Sequence, residues 1–212
     1  MICYTIGHST RKLEEFINTI KLYGIDCVMD VRSEPYFSNE YYNEYNKEQL
    51  ERSIKQSGIN YIYMGRELGE MRKEEEAFDK EGNIDFDKIM ECASFKKGIH
   101  KIVEGIKRGH KIALMCSEKN PYNCHRSILI GYVLEHNGVT VEHIIDEDSF
   151  KTQKRIEEEI FVTYEPILKS KFLKLTIQDI LDNDDYDNIS EKDIKLKVIE
   201  EGYRRKFKEL AS

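Results

Sequence analysis

Five short apolar runs alternate with segments whose apolar residues recur at helical spacing, and that alternation leaves few arrangements open to the chain. Ile2 to Ile6, Cys27 to Val31, Tyr61 to Met64, Ile112 to Met115 and Val139 to Ile145 read as strands. Leu13, Phe16, Ile17 and Ile20 form one helical face, with Ser9 or Thr10 available as cap and Gly24 as stop. Asn46 can cap a second helix that carries Leu50 and Ile54 and closes at Gly58. Phe95, Ile99, Ile102, Val103 and Ile106 form a third stripe behind Ser94, ending at Gly109. A further helix is expected from Asn123, with Ile128, Leu129, Tyr132 and Val133 facing the core and Gly138 as its stop. Strands covered by helices in this order predict an α/β fold, a mainly parallel sheet of about five strands flanked by helices.

At 212 residues the chain exceeds the usual size of one domain, so one core of roughly 150 residues with an appendage is expected. The division falls where the pattern changes: an α/β domain over residues 1–149 and a helical C-terminal extension over 150–212. In the extension, charged residues intersperse with helical apolar positions such as Ile156, Ile160, Ile180, Leu181, Ile194 and Val198, and DNDDYDN reads as a break between helices. Such a tail either packs on the first domain or mediates a homodimer. Within the first domain, GRELGEMRKEEEAFDKEGN reads as an ordered loop followed by a solvated, charged surface.

Cys3, Cys27, Cys92, Cys116 and Cys124 are odd in number and widely scattered, unlike a secreted disulfide framework, and read as reduced thiols in the cytoplasm. No basic stretch with a long apolar region follows Met1, and no apolar run reaches membrane-spanning length, so no membrane partner is expected. The net charge of -7 disfavours sequence-blind binding along a nucleic acid, which depends on neutralising phosphates; a local basic pocket stays open.

Ligands of α/β sheets meet the ends of strands and the starts of the following helices. The notable polar residues fall there: His8, Ser9 and Arg11 after the first strand, Asp30, Arg32 and Ser33 at the second, and Cys116, Glu118, Cys124, His125 and Arg126 after the fourth. If the strands are parallel, these loops share one edge. With Asn123 as cap, Cys124 falls in the first helical turn, where free amides favour an anion. Its thiol, beside His125 and Arg126, can then serve as a nucleophile, or the same amides and guanidinium can hold a phosphate or carboxylate, or Cys124 can pack as a small apolar side chain. Cys116, Cys124 and His8 or His125 are also soft metal ligands, but seven residues separate the two cysteines, rather than the two to four of zinc knuckles, and no metal is assigned. A reversible disulfide between the two is a further option. His8 can exchange protons near neutral pH or simply bond neighbouring backbone. Asp30 and Arg32, two apart on an extended chain, share a face, where they either orient a substrate or tie two loops together. Tyr36, Tyr41, Tyr42, Tyr45 and Phe37 suggest a stacking surface, although their acidic surroundings favour packing.

TIGHSTR at 5–11, DVRSEP at 30–35, GINYIYMGRELG at 58–69 and ALMCSEKNPYNCHR at 113–126 together resemble the DUF488 family, named for unknown function, over roughly the first 145 residues. The resemblance implies that His8, Asp30, Arg32, Pro35, Cys116, Glu118, Cys124, His125 and Arg126 occupy signature positions; it implies no reaction. Two departures are visible. YFSNEYY stands where members often carry a Ser-Arg stretch, which removes positive charge and argues against nucleic-acid contact through this loop, and Glu70 stands where a second glycine is common. The leading expectation is a cytosolic enzyme acting on a small anionic or nucleotide-like substrate. Cys124 is its candidate nucleophile, His8 or His125 the proton carrier, and Glu118 an orienting group or base. Arg32 and Arg126 hold the anion, with Asp30, Ser9, Cys116 and Arg11 on the binding side. The cofactor, if any, is unknown. A non-catalytic nucleotide or nucleic-acid binding module and a metal-binding protein using Cys116, Cys124 and His are the alternatives.

Overall fold

The computed structural model describes residues 1–38, 40–182 and 191–211. The strands are β1 (Ile2–Gly7), β2 (Cys27–Asp30), β3 (Asn60–Tyr63), β4 (Ile112–Cys116), β5 (Thr140–Ile144) and β6 (Phe150–Thr152). They form one sheet in the order β3-β2-β4-β1-β5-β6, parallel throughout except for the β5–β6 pair. The mainly parallel α/β arrangement is therefore as expected, with one strand more. At three residues β6 is too short to display a period of two in the sequence.

The helices are α1 (Leu13–Leu22), α2 (Lys47–Gln56), α3 (Gly65–Leu68), α4 (Phe86–Glu91), α5 (Ala93–Lys107), α6 (Tyr132–His136), α7 (Gln153–Asp182) and α8 (Glu191–Ala211). A π-helical segment, Arg126–Gly131, leads directly into α6. Phe16 and Ile20 of α1 and Leu50 and Ile54 of α2 cover one face of the sheet, over Ile6, Val28, Ala113 and Met115. Phe95, Ile99 and Ile102 of α5, with Ile128, Leu129 and Leu134, cover the other, over Cys3, Met29, Leu114 and Val141. β1, β2, β4 and β5 alternate between the two cores, as their period of two requires.

The chain leaving β1 thus turns to one face and the chain leaving the adjacent β4 turns to the other. Such a switch opens a crevice at the carboxyl ends of the two strands. Because β4 lies between β2 and β1, the loops after all three strands emerge side by side. Backbone bonds extend this alignment beyond the strands: the amides of His8 and Ser9 donate to the carbonyls of Cys116 and Ser117 at 2.9 and 2.8 Å, and that of Val31 to Met115 at 3.0 Å.

Local details differ from the sequence reading. Lys12, not Ser9 or Thr10, occupies the cap of α1, and the Leu13 amide donates to the Glu44 carboxylate at 2.9 Å. A side chain distant in sequence shares the capping with the local Glu15, whose carboxylate accepts from the Lys12 amide at 3.4 Å. Ser9 instead adopts a left-handed conformation at φ 49°. The Asn46 cap side chain accepts from the Phe37 amide at 2.7 Å, and the cap of α5 is Cys92. Asn123 closes a short 3-10 turn, Pro121–Asn123, and extended Cys124 takes the cap of the next helix with its own carbonyl, which accepts from Ser127 and Ile128 at 3.1 Å. The charged run after Gly69 is only partly a solvated surface: Arg72 is buried and donates to the Glu67 carbonyl at 2.6 Å, and Ala77 is buried. The side chains of Tyr41, Tyr42, Ile180 and Leu181, and the DNDDYDN break from Asn183 onward, lie outside the described residues. Among the described residues no helix is long and apolar enough to cross a membrane.

The C-terminal helices join the core that lies over α5 and α6. Ile156, Ile160, Tyr164 and Leu168 of α7 and Val198, Tyr203 and Phe207 of α8 belong to it. A Cβ on Gly202 would stand 2.6 Å from Ile160 Cγ2, so the glycine sets how closely α8 approaches α7. A buried polar chain crosses the same contact. Thr5 Oγ1 bonds His143 Nδ1 at 2.8 Å, His143 Nε2 bonds Gln153 Oε1 at 2.8 Å, and the Gln153 amide donates to the Ser127 carbonyl at 3.1 Å and Tyr203 Oη at 3.0 Å. An amide oxygen can only accept, so Nε2 carries the proton and Nδ1 accepts from the threonine hydroxyl.

Burial holds His143 in the neutral form and pushes its pKa down to about 3, from 6.5. The unfolded chain therefore binds the extra proton first, and stability is complete above the unfolded value and lost as pH falls from there toward the folded one. Urea unfolding at about pH 7 and pH 4 should show ~3 kcal/mol more acid loss in the wild type than in His143→Leu. Equal acid losses in the two proteins would remove His143 as a source of acid sensitivity.

Candidate functional site

β4 ends at Cys116, whose side chain lies on the α5 and α6 face. Residues 117–123 loop out and return Cys124 beside it. The return is held by Arg126, whose side chain is completely buried. Its Nη1 donates to the Glu118 carbonyl at 2.6 Å, its Nη2 to the Lys119 carbonyl at 3.2 Å and its Nε to Thr5 Oγ1 at 3.2 Å. Gly7 makes room for this grip, since a Cβ there would lie 1.8 Å from the same Glu118 oxygen. Arg11 works in parallel, donating from Nη1 to the Gly7 carbonyl and from Nη2 to that of Ile145. In this arrangement Arg126 and Arg11, two of the three arginines expected on the binding side, spend those donors on backbone carbonyls.

The loop closure gathers four reactive groups. Glu118 Oε2 lies 3.2 Å from Cys116 Sγ and 3.1 Å from Cys124 Sγ. His125 Nδ1 lies 3.8 and 3.9 Å from the same sulfurs. The other ring nitrogen, Nε2, faces the Val31 carbonyl at 3.2 Å, and Nδ1 also meets Glu70 Oε2 at 2.7 Å. Cys116, Cys124 and His125 are each 2 % exposed, whereas the Glu70 side chain is 49 % exposed and marks the side from which solvent approaches.

A carbonyl and a carboxylate both only accept, so His125 donates from both nitrogens and is an imidazolium here. Burial opposes that charge, but the bonds to Cys124 and Glu70 outweigh it and raise the pKa to about 10. Burial likewise raises the Cys124 thiol, yet Cys116, Arg126 and His125 together take it well below the ordinary thiol value. Cys116 moves the other way, because its bond to Cys124 and its burial both favour the protonated thiol. The two thiols are thus driven in opposite directions, Cys124 toward the thiolate and Cys116 toward the thiol. Burial and the Cys124 charge raise Glu118, and the His125 bond lowers Glu70.

The remaining site residues sit over the α1 and α2 face of the same edge. Arg32 forms a two-pronged ion pair with Asp30, Nε to Oδ1 at 2.9 Å and Nη2 to Oδ2 at 2.6 Å, and Tyr61 Oη donates to Oδ2 at 2.7 Å. Its Nη1 is buried and has no partner among the described residues. His8 donates from Nδ1 to the Ser9 carbonyl at 3.0 Å and stacks on Tyr45 at 4.1 Å, while its Nε2 and Tyr45 Oη are also buried without a partner among the described residues. The ring of Phe37 lies against both, 5.5 Å from His8 and 5.8 Å from the Arg32 guanidinium. Burial, then the Arg32 charge, lowers the His8 pKa to about 4, so the ring is neutral. The expected aromatic surface is mostly packing: Tyr45 is in the core, and exposed Tyr36 donates to Glu48 at 2.9 Å.

The edge therefore carries two halves on either side of the β4 end, a sulfur half and a His8–Arg32 half, with His125 reaching across to Val31. Across the two halves, the Arg126 charge adds to the lowering of the His8 pKa. Glu70 is the residue that motif reading did not assign to the site; its departure from the family's common glycine was the available signal. A cavity of about 790 Å³ lies elsewhere, along β3 and α5 and lined by Lys55, Ile62, His100 and Arg108. A Gly7→Ala substitution should displace the Glu118 loop, cost about 3 kcal/mol or more in denaturant unfolding, and change the alkylation rate of Cys124. Native stability with native thiol reactivity would show that the loop does not depend on this approach.

No curated protein and no solved structure matches the chain. A family model described as Domain of unknown function DUF488 matches residues 12–133, which takes in DVRSEP and the whole of the Cys116 to Arg126 signature and stops short of TIGHSTR. That match covers more than half of the sequence, and the chain belongs to the DUF488 family.

Proposed function

We propose that the chain is a cytosolic enzyme acting on a small anionic or nucleotide-like substrate at the crevice between β1 and β4. The observation that carries this reading is the set of buried polar atoms, Arg32 Nη1, His8 Nε2 and Tyr45 Oη, that have no partner among the described residues. A buried polar group left unsatisfied costs about 1–3 kcal/mol, so a fold that gathers three of them in one place gains by meeting a ligand there. Their chemistry limits the ligand. Arg32 Nη1 and the tyrosine hydroxyl donate, and His8, whose Nδ1 proton is engaged with Ser9, presents a lone pair at Nε2. An oxyanion that also carries an O–H or N–H matches this set, as a phosphate ester, a hydroxy acid or a nucleotide does. His8 is then the proton acceptor and Arg32, aligned by Asp30, the anion holder.

The sulfur half supplies the reactive centre, with the Cys124 thiolate as its anion and Glu118 as the adjoining carboxylate. Arg126 and Arg11 keep the loops in place, and Ser9 and Cys116 border the two halves. In this reading residues 1–149 carry the site, and residues 150–212 buttress it through the Gln153 and Tyr203 contacts. Five unpaired thiols suit a reducing compartment.

Inorganic phosphate and a nucleoside monophosphate, each in the millimolar range, should raise the Tm of the wild type by mass action. Arg32→Lys retains a cation opposite Asp30 but loses the free prong, so it should bind either ligand about tenfold or more weakly while staying folded. His8→Phe keeps the ring stack on Tyr45 but removes the Nε2 acceptor, so it should weaken ligand binding severalfold and abolish turnover while the protein stays folded. If phosphates, nucleotides and hydroxy acids all leave the wild-type Tm unchanged, the anion-site reading is lost.

A further inference from the structure

We propose that Cys116 Sγ, Cys124 Sγ and His125 Nδ1 form a three-donor site for one divalent transition-metal ion of the zinc class. The fourth coordination position is left open toward the Glu118 and Glu70 carboxylates. This deepens the reading above, on which it rests for the substrate, by naming what the sulfur half holds.

The distances suit such an ion. The three donor atoms lie within 4.8 Å of one another, with sulfur to nitrogen separations of 3.8 and 3.9 Å. Tetrahedral zinc, with bonds of about 2.3 Å to sulfur and about 2.0 Å to nitrogen, sets the sulfur to nitrogen edge at roughly 3.5 Å. Contraction of a few tenths of an ångström brings both sulfur–nitrogen edges to that value, and the two sulfurs, within 4.8 Å, draw together toward the roughly 3.8 Å of a tetrahedral sulfur–sulfur edge.

The surrounding structure prepares the donors. The Val31 carbonyl accepts from Nε2 at 3.2 Å, which fixes the imidazole with Nδ1 turned to the sulfurs, the usual outer-shell arrangement of a metal-bound histidine. Cys116 is the last residue of β4, and Cys124 caps the segment that follows, so neither sulfur hangs on a free loop. The seven residues between them, poor spacing for a zinc knuckle, are taken up by the closure of the Glu118 loop on Arg126. Two sulfurs and an imidazole select zinc, cobalt(II) or iron(II) over magnesium and calcium, which require oxygen.

Metal entry displaces the proton between Nδ1 and Glu70 and the thiol proton shared near Glu118. Three protein ligands with one open position is the pattern of catalytic rather than structural zinc. Once bound, the ion would supply Lewis acidity to a water molecule at that position, and Glu118, beside both sulfurs, is placed to take the proton that the water gives up. Both sulfurs are then ligands, and Cys124 is withdrawn as a nucleophile.

The test is cobalt(II) titration of the full chain after chelator dialysis under reducing conditions. Saturation at one equivalent with thiolate-to-cobalt charge transfer and intense tetrahedral visible bands, abolished by excess zinc, is expected. Cys116→Ser, Cys124→Ser and His125→Ala should each weaken binding about a hundredfold or more, and Cys92→Ser should not change it. Where a ligand variant fails to fold, zinc protection of wild-type Cys116 and Cys124 from alkylation, mapped by mass spectrometry, gives the second readout. No thiolate spectrum in folded wild type, unprotected thiols, or a Cys116–Cys124 disulfide formed in place of metal binding would each overturn the site. Phosphate binding without the cobalt spectrum overturns the metal alone. A cobalt spectrum without phosphate or nucleotide binding overturns the anion reading alone.

Discussion

The buried guanidinium of Arg126 is the interaction on which the rest of the site depends. A charge with no exposure is tolerated only when its donors are satisfied, and here Thr5 Oγ1 and the carbonyls of Glu118 and Lys119 satisfy them. Those partners come from β1 and from the loop after β4, so satisfying the charge and folding the loop are one event. The loop in turn sets where Cys124 and His125 lie relative to Cys116. Gly7 belongs to the same constraint, because only the absence of a Cβ lets the Glu118 carbonyl cross the end of β1.

The same guanidinium connects the site to the C-terminal helices. Through Thr5 it touches the chain that runs by His143 and Gln153 to Tyr203 of α8. Every link pairs a donor with an acceptor, so loosening α8 would leave the Gln153 amide short of a partner deep in the core. The tail is therefore part of the stability of the edge that carries the signature residues.

Two halves of one edge divide the chemistry. The half containing Cys116, Cys124 and His125 is densely paired internally, with its charges balanced by near neighbours. The half containing His8 and Arg32 is rigid but incompletely paired, since the Asp30 fork and the Tyr45 stack fix side chains whose outer atoms remain without partners among the described residues. Preorganised and unsatisfied groups bind; preorganised and mutually satisfied groups hold charge or metal.

The sequence by itself determined the sheet and the edge. Cys27 to Val31 and Ile112 to Met115 announce strands covered on both sides, and Leu13, Phe16, Ile17 and Ile20 announce the helix that precedes the first of them, because burial imposes its period directly on neighbouring residues. It also put His8, Arg32 and Cys124 at strand ends. Tertiary structure alone decided the pairings. Glu44 capping α1, Glu70 on His125 and the arginines turned onto loop carbonyls all join residues far apart in the chain or across a loop, where no local period exists. The insertion of β4 between β2 and β1 was likewise beyond the sequence, yet it is what aligns the three loops: strand order follows from which helices cover which face of the whole sheet, and no single segment encodes that.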